Sequence, residues 1–227
     1  MSPTPPVTDA WLVIPLFNEG PVIADVLAEA MERFPYVVCV DDASTDDSAA
    51  LARHAGAVIV RHPFNLGQGA ALQTGIRYVL EASDAAYLIT FDADGQHRVQ
   101  DAEEMVARAR AEDLAMVFGS RFLDRRTRPG LLRRVVLKAA VTLTNLQTGM
   151  RLSDAHNGLR VVRRDAAAAL DLRQDRMAHA TEIVLQLGRT RLPWAEHPVH
   201  VLYTDYSRAK GQSLINSVNI LIDTILK

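Results

Sequence analysis

The chain has little of what marks secreted, membrane-spanning or nucleic-acid-binding proteins. It holds one cysteine, Cys39, so no disulfide framework can form within it. Cys39 lies in the apolar run Tyr36–Val40 and reads as a small core side chain, in keeping with a reducing compartment. No apolar stretch reaches the roughly 18 to 20 residues that a membrane span needs. Residues 1–9 carry three prolines and no basic side chain, and Pro15 breaks the apolar run behind them, which is unlike a signal peptide. The net charge of -2 gives no general attraction to nucleic acid. Neither a repeat nor a low-complexity tract nor a linker divides the 227 residues. With 48% apolar residues, one full-sized domain over 1–227 is expected, with a flexible lead-in at 1–9.

What is present is an alternation of strands and helices. Ala10–Pro15, Val37–Val40, Val58–Arg61, Ala86–Phe91 and Met116–Gly119 read as short buried strands. Helical spacing follows each of the first four: from Pro21 through Met31, over Ser48–His54, from Ala70 to Ala82, and from Asp101 to Glu112. Beyond these, a helix is expected up to about Thr148, a polar cluster over Arg151–Arg160, and short helices at Arg163–Leu170 and His179–Gly188. Leu192–Leu202 reads as an edge strand or strand pair, and 213–227 as an amphipathic helix with Leu214, Ile215, Val218, Leu221, Ile222 and Ile225 on one side. The pattern argues for a Rossmann-like, mostly parallel α/β sheet with helices on both faces.

Three of the strands end in polar loops, Pro15–Glu19, Asp41–Asp46 and Asp92–His97. Open α/β sheets bind ligands beyond the carboxyl ends of their strands, so these acids converge there. Asp92 and Asp94, one residue apart at the end of a buried run, are costly unless something neutralises them. A hard divalent cation bridging to a phosphorylated ligand is one answer, and a polar turn selected for backbone geometry is the other. A basic stretch follows the fifth strand: Arg121, Arg125, Arg126, Arg128, Arg133, Arg134 and Lys138. It is either a solvated face or a site for an anion.

Taken in order, these segments resemble the family 2 glycosyltransferases, in particular the polyprenyl-phosphate hexosyltransferase branch that includes dolichyl-phosphate mannose synthase. Pro15-Leu16-Phe17-Asn18-Glu19 is similar to the family's opening Pro-x-x-Asn-Glu motif, and Val40–Asp46 to its nucleoside-binding loop. Asn65–Gly75 resembles its Asn-x-Gly-x-Gly segment, and Asp92-Ala93-Asp94-Gly95-Gln96-His97 its metal motif. Gly119-Ser120-Arg121 and Asp154–Arg160 follow in the family's order. The resemblance implies a GT-A fold, a UDP- or GDP-sugar donor, Mg2+ or Mn2+, and inversion at the anomeric carbon. Gln68 departs from the branch, where lysine is usual.

The expected roles follow from chemistry and from this likeness. Asp94, with Gln96 as a third contact that the resemblance implies, is a metal ligand, and Asp92 is either a metal ligand or a contact to the donor ribose and sugar. Pro15 and Phe17 shape a pocket wall, Glu19 and Asp42 accept from ribose or base, and Gly67 and Gly69 admit a ligand close to the backbone. Asp42 and Asp46 are also candidate helix caps. His97 is read as a hydrogen-bonding or packing residue. Arg121, with Arg133 or Arg134, is expected to meet an acceptor phosphate. Asp154 and Glu182 are the candidate bases if the acceptor is a sugar hydroxyl, since a phosphate acceptor needs none. Arg208 and Lys210 lie in a segment resembling the family's C-terminal loop, which closes over the diphosphate. The leading expectation is transfer of a hexose to polyprenyl phosphate, in the cytoplasm or at the cytoplasmic face of a membrane, the C-terminal helix packing on the domain, on a small membrane partner or in the bilayer interface. The alternatives are a saccharide acceptor in surface polysaccharide synthesis and a catalytically silent nucleotide-sugar-binding subunit.

Overall fold

The computed structural model describes residues 5–123, 141–142, 145–174, 178–202 and 206. Its elements are β1 (Ala10–Leu16), α1 (Ile23–Arg33), β2 (Val37–Asp41), α2 (Ser48–His54), β3 (Val58–Arg61), α3 (Gln68–Ala82), β4 (Tyr87–Thr90), α4 (Val99–Ala111), β5 (Met116–Ser120), β6 (Arg160–Arg163), α5 (Arg164–Ala167), α6 (Ala178–Thr190) and β7 (Trp194–Pro198).

The strands form one sheet in the order β3-β2-β1-β4-β6-β5-β7. β1 pairs in parallel with β2 and β4, β2 with β3, and β5 with β7. β6 alone runs against its neighbours β4 and β5. Side chains alternate across the central strands, which is why these strands read as unbroken apolar runs. Leu12, Ile14 and Leu16 of β1 join Val37 and Cys39 of β2 in one core with α1 and α4. Val13, Val38 and Val40 join a second core with α3 and α6. Leu12 and Ile14 have no exposed surface, and burying each contributes on the order of 2 kcal/mol. Cys39 is likewise wholly enclosed, and burial pushes its thiol up to about 12. It is a core residue, as its setting in the sequence implied.

The structure differs from the sequence reading in four places. The strand β6 replaces the tail of the polar cluster. Helix α1 starts at Ile23, because Glu19 O accepts from both Val22 N and Ile23 N and makes Pro21 part of a turn. The edge strand is shorter than 192–202, since β7 ends at Pro198. Residues 5–9 are tied down: Val7 is buried and its N–H donates to Arg33 O at 2.7 Å, while Asp9 O accepts from Ala86 N and Tyr87 N. The expected C-terminal helix at 213–227 lies outside the described residues. Among the described residues no helix is long and apolar enough to cross a membrane.

Candidate active site

The loops after β1 and β2 are fastened to each other. Asn18 has φ 53°, its N–H donates to Ser44 Oγ at 3.0 Å, and its Oδ1 accepts from Thr45 N at 2.9 Å. Asp46 accepts from Ser48 N, the first N–H of α2, and from Gly20 N, both at 3.0 Å, so one carboxylate, standing just before the Asp47 cap position, ties the helix start to the β1 loop. Asp42 does a different job from a cap. Its Oδ1 accepts from Leu66 N and its Oδ2 from Gly67 N, each at 2.8 Å, and His62 Nδ1 lies 2.8 Å from Oδ1. The turn into α3 is therefore built around the Asp42 carboxylate. Gly67 stands there with φ 92°, a region that side chains disfavour.

Asp92 and Asp94 follow β4, but their surroundings separate them. Asp92 Oδ2 is 2.9 Å from His97 Nε2, and Oδ1 accepts from Gln68 Nε2 at 3.3 Å. Gly158 makes room for this carboxylate: a Cβ there would lie 2.2 Å from Asp92 Oδ2. Burial opposes ionisation of Asp92, but the His97 hydrogen bond and the charges of His97, Arg160 and His179 outweigh it and lower its pKa. Asp94 gains less help: Gln96 N donates to its Oδ1 at 3.0 Å, and this bond and the His97 charge favour its ionised form without prevailing. Burial, then the neighbouring charge of Asp92, pushes its carboxyl up to about 6. Asp94 is thus the acid whose ionised form is left short of positive charge, the condition a cation would relieve. Among the described residues no group of three or more His, Cys, Asp or Glu side chains forms a metal cage. The oxygen donors present suit Mg2+ or Mn2+, which commonly keep waters and take phosphate oxygens for the rest of their shell.

On the other side of β4, Arg121 leaves the end of β5 and meets Asp154. Its Nε donates to Oδ2 at 2.6 Å and its Nη2 to Oδ1 at 2.8 Å. The Asp154 turn is itself held by Glu196 of β7, whose carboxylate accepts from Ser153 N and Asp154 N. Burial works against the charge on Asp154, but the Arg121 charge and hydrogen bonds prevail and lower its pKa.

These loops enclose a cleft of about 470 Å3. Of the residues expected to bind a donor, Pro15, Phe17, Glu19, Asp42, Gly67, Asp92 and Asp94 all line it. Gly69 does not: its close approach is to Gln174 O of the chain itself, 2.3 Å from where a Cβ would stand. Nor does Gln96, a buried residue whose C=O accepts from Leu202 N. Arg121 and Asp154 sit beside the cleft and not on its lining. The structure does not bring Glu182 to it. That carboxylate accepts from Arg173 N and Gln174 N and faces a separate surface depression with Asp171, Arg173 and Gln186. Arg133, Arg134, Arg208 and Lys210 lie outside the described residues.

Sequence reasoning passed over His156 and His179, which line the cleft with Arg160. Burial drives His156 down to about 4, so it is neutral at ordinary pH. Burial also lowers Arg160, to about 10. His156 lies within the Asp154–Arg160 motif, which could have marked it, whereas His179 is an isolated histidine with no pattern that distinguishes it from a core residue.

A family model described as glycosyl transferase family 2 matches residues 11–170, which contain every element of this cleft except α6. The chain belongs to family 2 of the glycosyltransferases. An uncharacterised protein of Methanocaldococcus jannaschii is 33% identical over 224 residues, spanning 96% of this chain and 92% of that one. The UDP-N-acetylglucosamine--dolichyl-phosphate N-acetylglucosaminyltransferase of Methanococcus voltae is 26% identical over 227 residues, spanning 90% of each. Among solved structures, glucosyl-3-phosphoglycerate synthase of Mycobacterium tuberculosis, in complex with Mn2+ and UDP-glucose, superposes with a TM-score of 0.69 at 19% identity, over 96% of this chain and 77% of that one. The fold is the GT-A fold of family 2, and the chain is an enzyme of the glycosyltransferase class.

Proposed function

We propose that this family 2 enzyme moves a hexose from a UDP- or GDP-sugar to a polyprenyl phosphate, with inversion and with Mg2+ or Mn2+. One observation favours a phosphate acceptor over a sugar hydroxyl. Both candidate bases are spent, Asp154 on Arg121 and Glu182 on backbone N–H groups away from the cleft. A hydroxyl needs a base within reach, whereas a phosphate arrives ionised. The dolichyl-phosphate acceptor named for the M. voltae relative supports the same reading, and the Mn2+ and UDP-glucose of the M. tuberculosis neighbour support the donor and the metal.

In this reading the nucleoside lies against Pro15, Phe17, Glu19 and Asp42, on the β1–β3 side. Asp94 would hold the cation, its carboxylate steadied by the Gln96 backbone N–H. When bound, the cation neutralises charge on the departing diphosphate. Asp92, kept ionised by His97, faces the donor sugar. Arg121, held flat by Asp154, receives the acceptor phosphate with Arg133 or Arg134, while Arg208 and Lys210 are cationic partners of the donor diphosphate. An oxygen of that phosphate bonds to the anomeric carbon as the bond to the nucleotide breaks, on the opposite face of the ring. The active edge then works at a membrane surface.

The test is a transfer assay with UDP- and GDP-hexoses, dolichyl or undecaprenyl phosphate, and Mn2+ or EDTA. Lipid-linked hexose that requires the cation is expected. Glycosylated saccharide with no lipid-linked product would overturn the acceptor, and no release of nucleotide from any donor would overturn the enzyme reading.

A further inference from the structure

The chain beyond β7 is stitched across the carboxyl edge of the sheet. Val199 N donates to Ser120 O at 3.0 Å, and Leu202 N to Gln96 O at 2.9 Å. Between them, His200 N donates to Asp101 Oδ2 at 2.8 Å. Further on, the Tyr206 hydroxyl lies 2.8 Å from Glu19 Oε2 and 3.3 Å from Asn18 O. The described residues of this run thus touch the end of β5, the loop after β4 and, at Tyr206, the β1 loop.

The last contact is the informative one. A phenol has a single proton, and the shorter, charge-assisted bond is the one to the carboxylate. The terminal torsion of a glutamate is broad, so fixing one oxygen decides where the other points. Glu19 lines the cleft beside Pro15 and Phe17, where that direction matters to a ligand. Burial and the Glu19 charge both raise the Tyr206 pKa, so the hydroxyl keeps its proton.

We propose that Tyr206 is a positioning residue of the donor site: its hydroxyl sets the orientation in which Glu19 meets the nucleoside part of the donor. This inference rests on reading the cleft as the donor site. A plain tether would contribute to folding and leave nucleotide affinity alone.

The test is a double-mutant cycle on the full chain, with Tyr206→Phe, Glu19→Gln and both together. Affinity for UDP and GDP with Mn2+ is measured by calorimetry, beside melting temperature and steady-state transfer. Tyr206→Phe is expected to raise the nucleotide Kd and the donor KM about five- to tenfold, with kcat changed less than about twofold. In the Glu19→Gln background, the same change is expected to shift Kd by less than about twofold. Unchanged Kd in Tyr206→Phe, with or without a lower melting temperature, overturns the proposal, as does an equal effect in both backgrounds. A wild-type protein that binds neither nucleotide would instead remove the donor-site reading, and this inference with it.

Discussion

The Arg121 guanidinium lies side-on to the Asp154 carboxylate, Nε 2.6 Å from one oxygen and Nη2 2.8 Å from the other. Arg121 keeps 13% side-chain exposure and Asp154 1%, so the pair is closer to a buried ion pair than to a surface one. Two parallel hydrogen bonds fix the plane of the arginine, so the acceptor phosphate proposed for it would meet it in one orientation.

Removing one member of that pair strands the other. Asp154→Ala should destabilise the protein by about 3 kcal/mol, read from urea denaturation, and Asp154→Asn by less. The lowered Asp154 pKa sets the sign of the pH dependence. Its contribution is present above the unfolded value near 4 and is lost as pH falls below it. The wild type and Asp154→Asn should therefore differ in stability at pH 7 and converge in acid. Transfer to lipid phosphate should fall at least about tenfold in Asp154→Asn, with nucleotide affinity changed less than about twofold.

Asp94 has the opposite sign. Its carboxyl, raised to about 6, holds its proton longer in the folded protein than in the unfolded chain. Between pH about 4 and 6 the metal-free protein should lose stability as pH rises, by up to about 3 kcal/mol from this group. Melting curves in EDTA should show that slope in the wild type and not in Asp94→Asn. Mn2+ should oppose the loss in the wild type alone.

Gly158→Ala places a methyl group 2.2 Å from Asp92 Oδ2, so the carboxylate must move. A folding cost of about 1–3 kcal/mol is expected from overpacking. The larger effect should be on the site. The Mn2+-dependent thermal shift with nucleotide sugar should shrink by more than the loss of stability explains, which a ligand titration of each variant at its own melting temperature checks.

Glu182→Gln should leave kcat within about threefold of wild type, because the carboxylate lies outside the cleft. Its three acceptor contacts, to Arg173 N, Gln174 N and Gln186 Nε2, would weaken by about 1 kcal/mol in denaturant unfolding. A loss of kcat beyond about a hundredfold with folding intact would restore Glu182 as a base.

The sheet was readable because its strands are buried on both faces. Leu12-Val13-Ile14 has to be apolar throughout when helices cover each side. β6 was not readable, since Arg160-Val161-Val162-Arg163 is four residues long and follows a polar cluster that masks its start. In the site, the position of the two acids after β4 was legible from Phe91-Asp92-Ala93-Asp94. Their division of labour was not, because His97, Gln68 and Gly158 set it and only His97 is close in sequence. Glu182 shows the same limit from the other side. Carboxylates look alike in a sequence, and only the fold reveals which of them is occupied by backbone N–H groups.

The reversed direction of β6 has a consequence for how such an enzyme diversifies. β5 ends and β6 begins at the same edge, so the chain between Ser120 and Arg160 departs and returns on one side of the sheet. An excursion of that kind is a cassette. It can lengthen, shorten or be exchanged at an entropic cost that grows only with the logarithm of its length, and no strand need shift. Asp42 and Asp92 stand on tight connections between neighbouring elements, where such exchange would break the sheet. One half of the molecule is therefore held constant by geometry, while the β5–β6 connection, where we propose that the acceptor is met, can change.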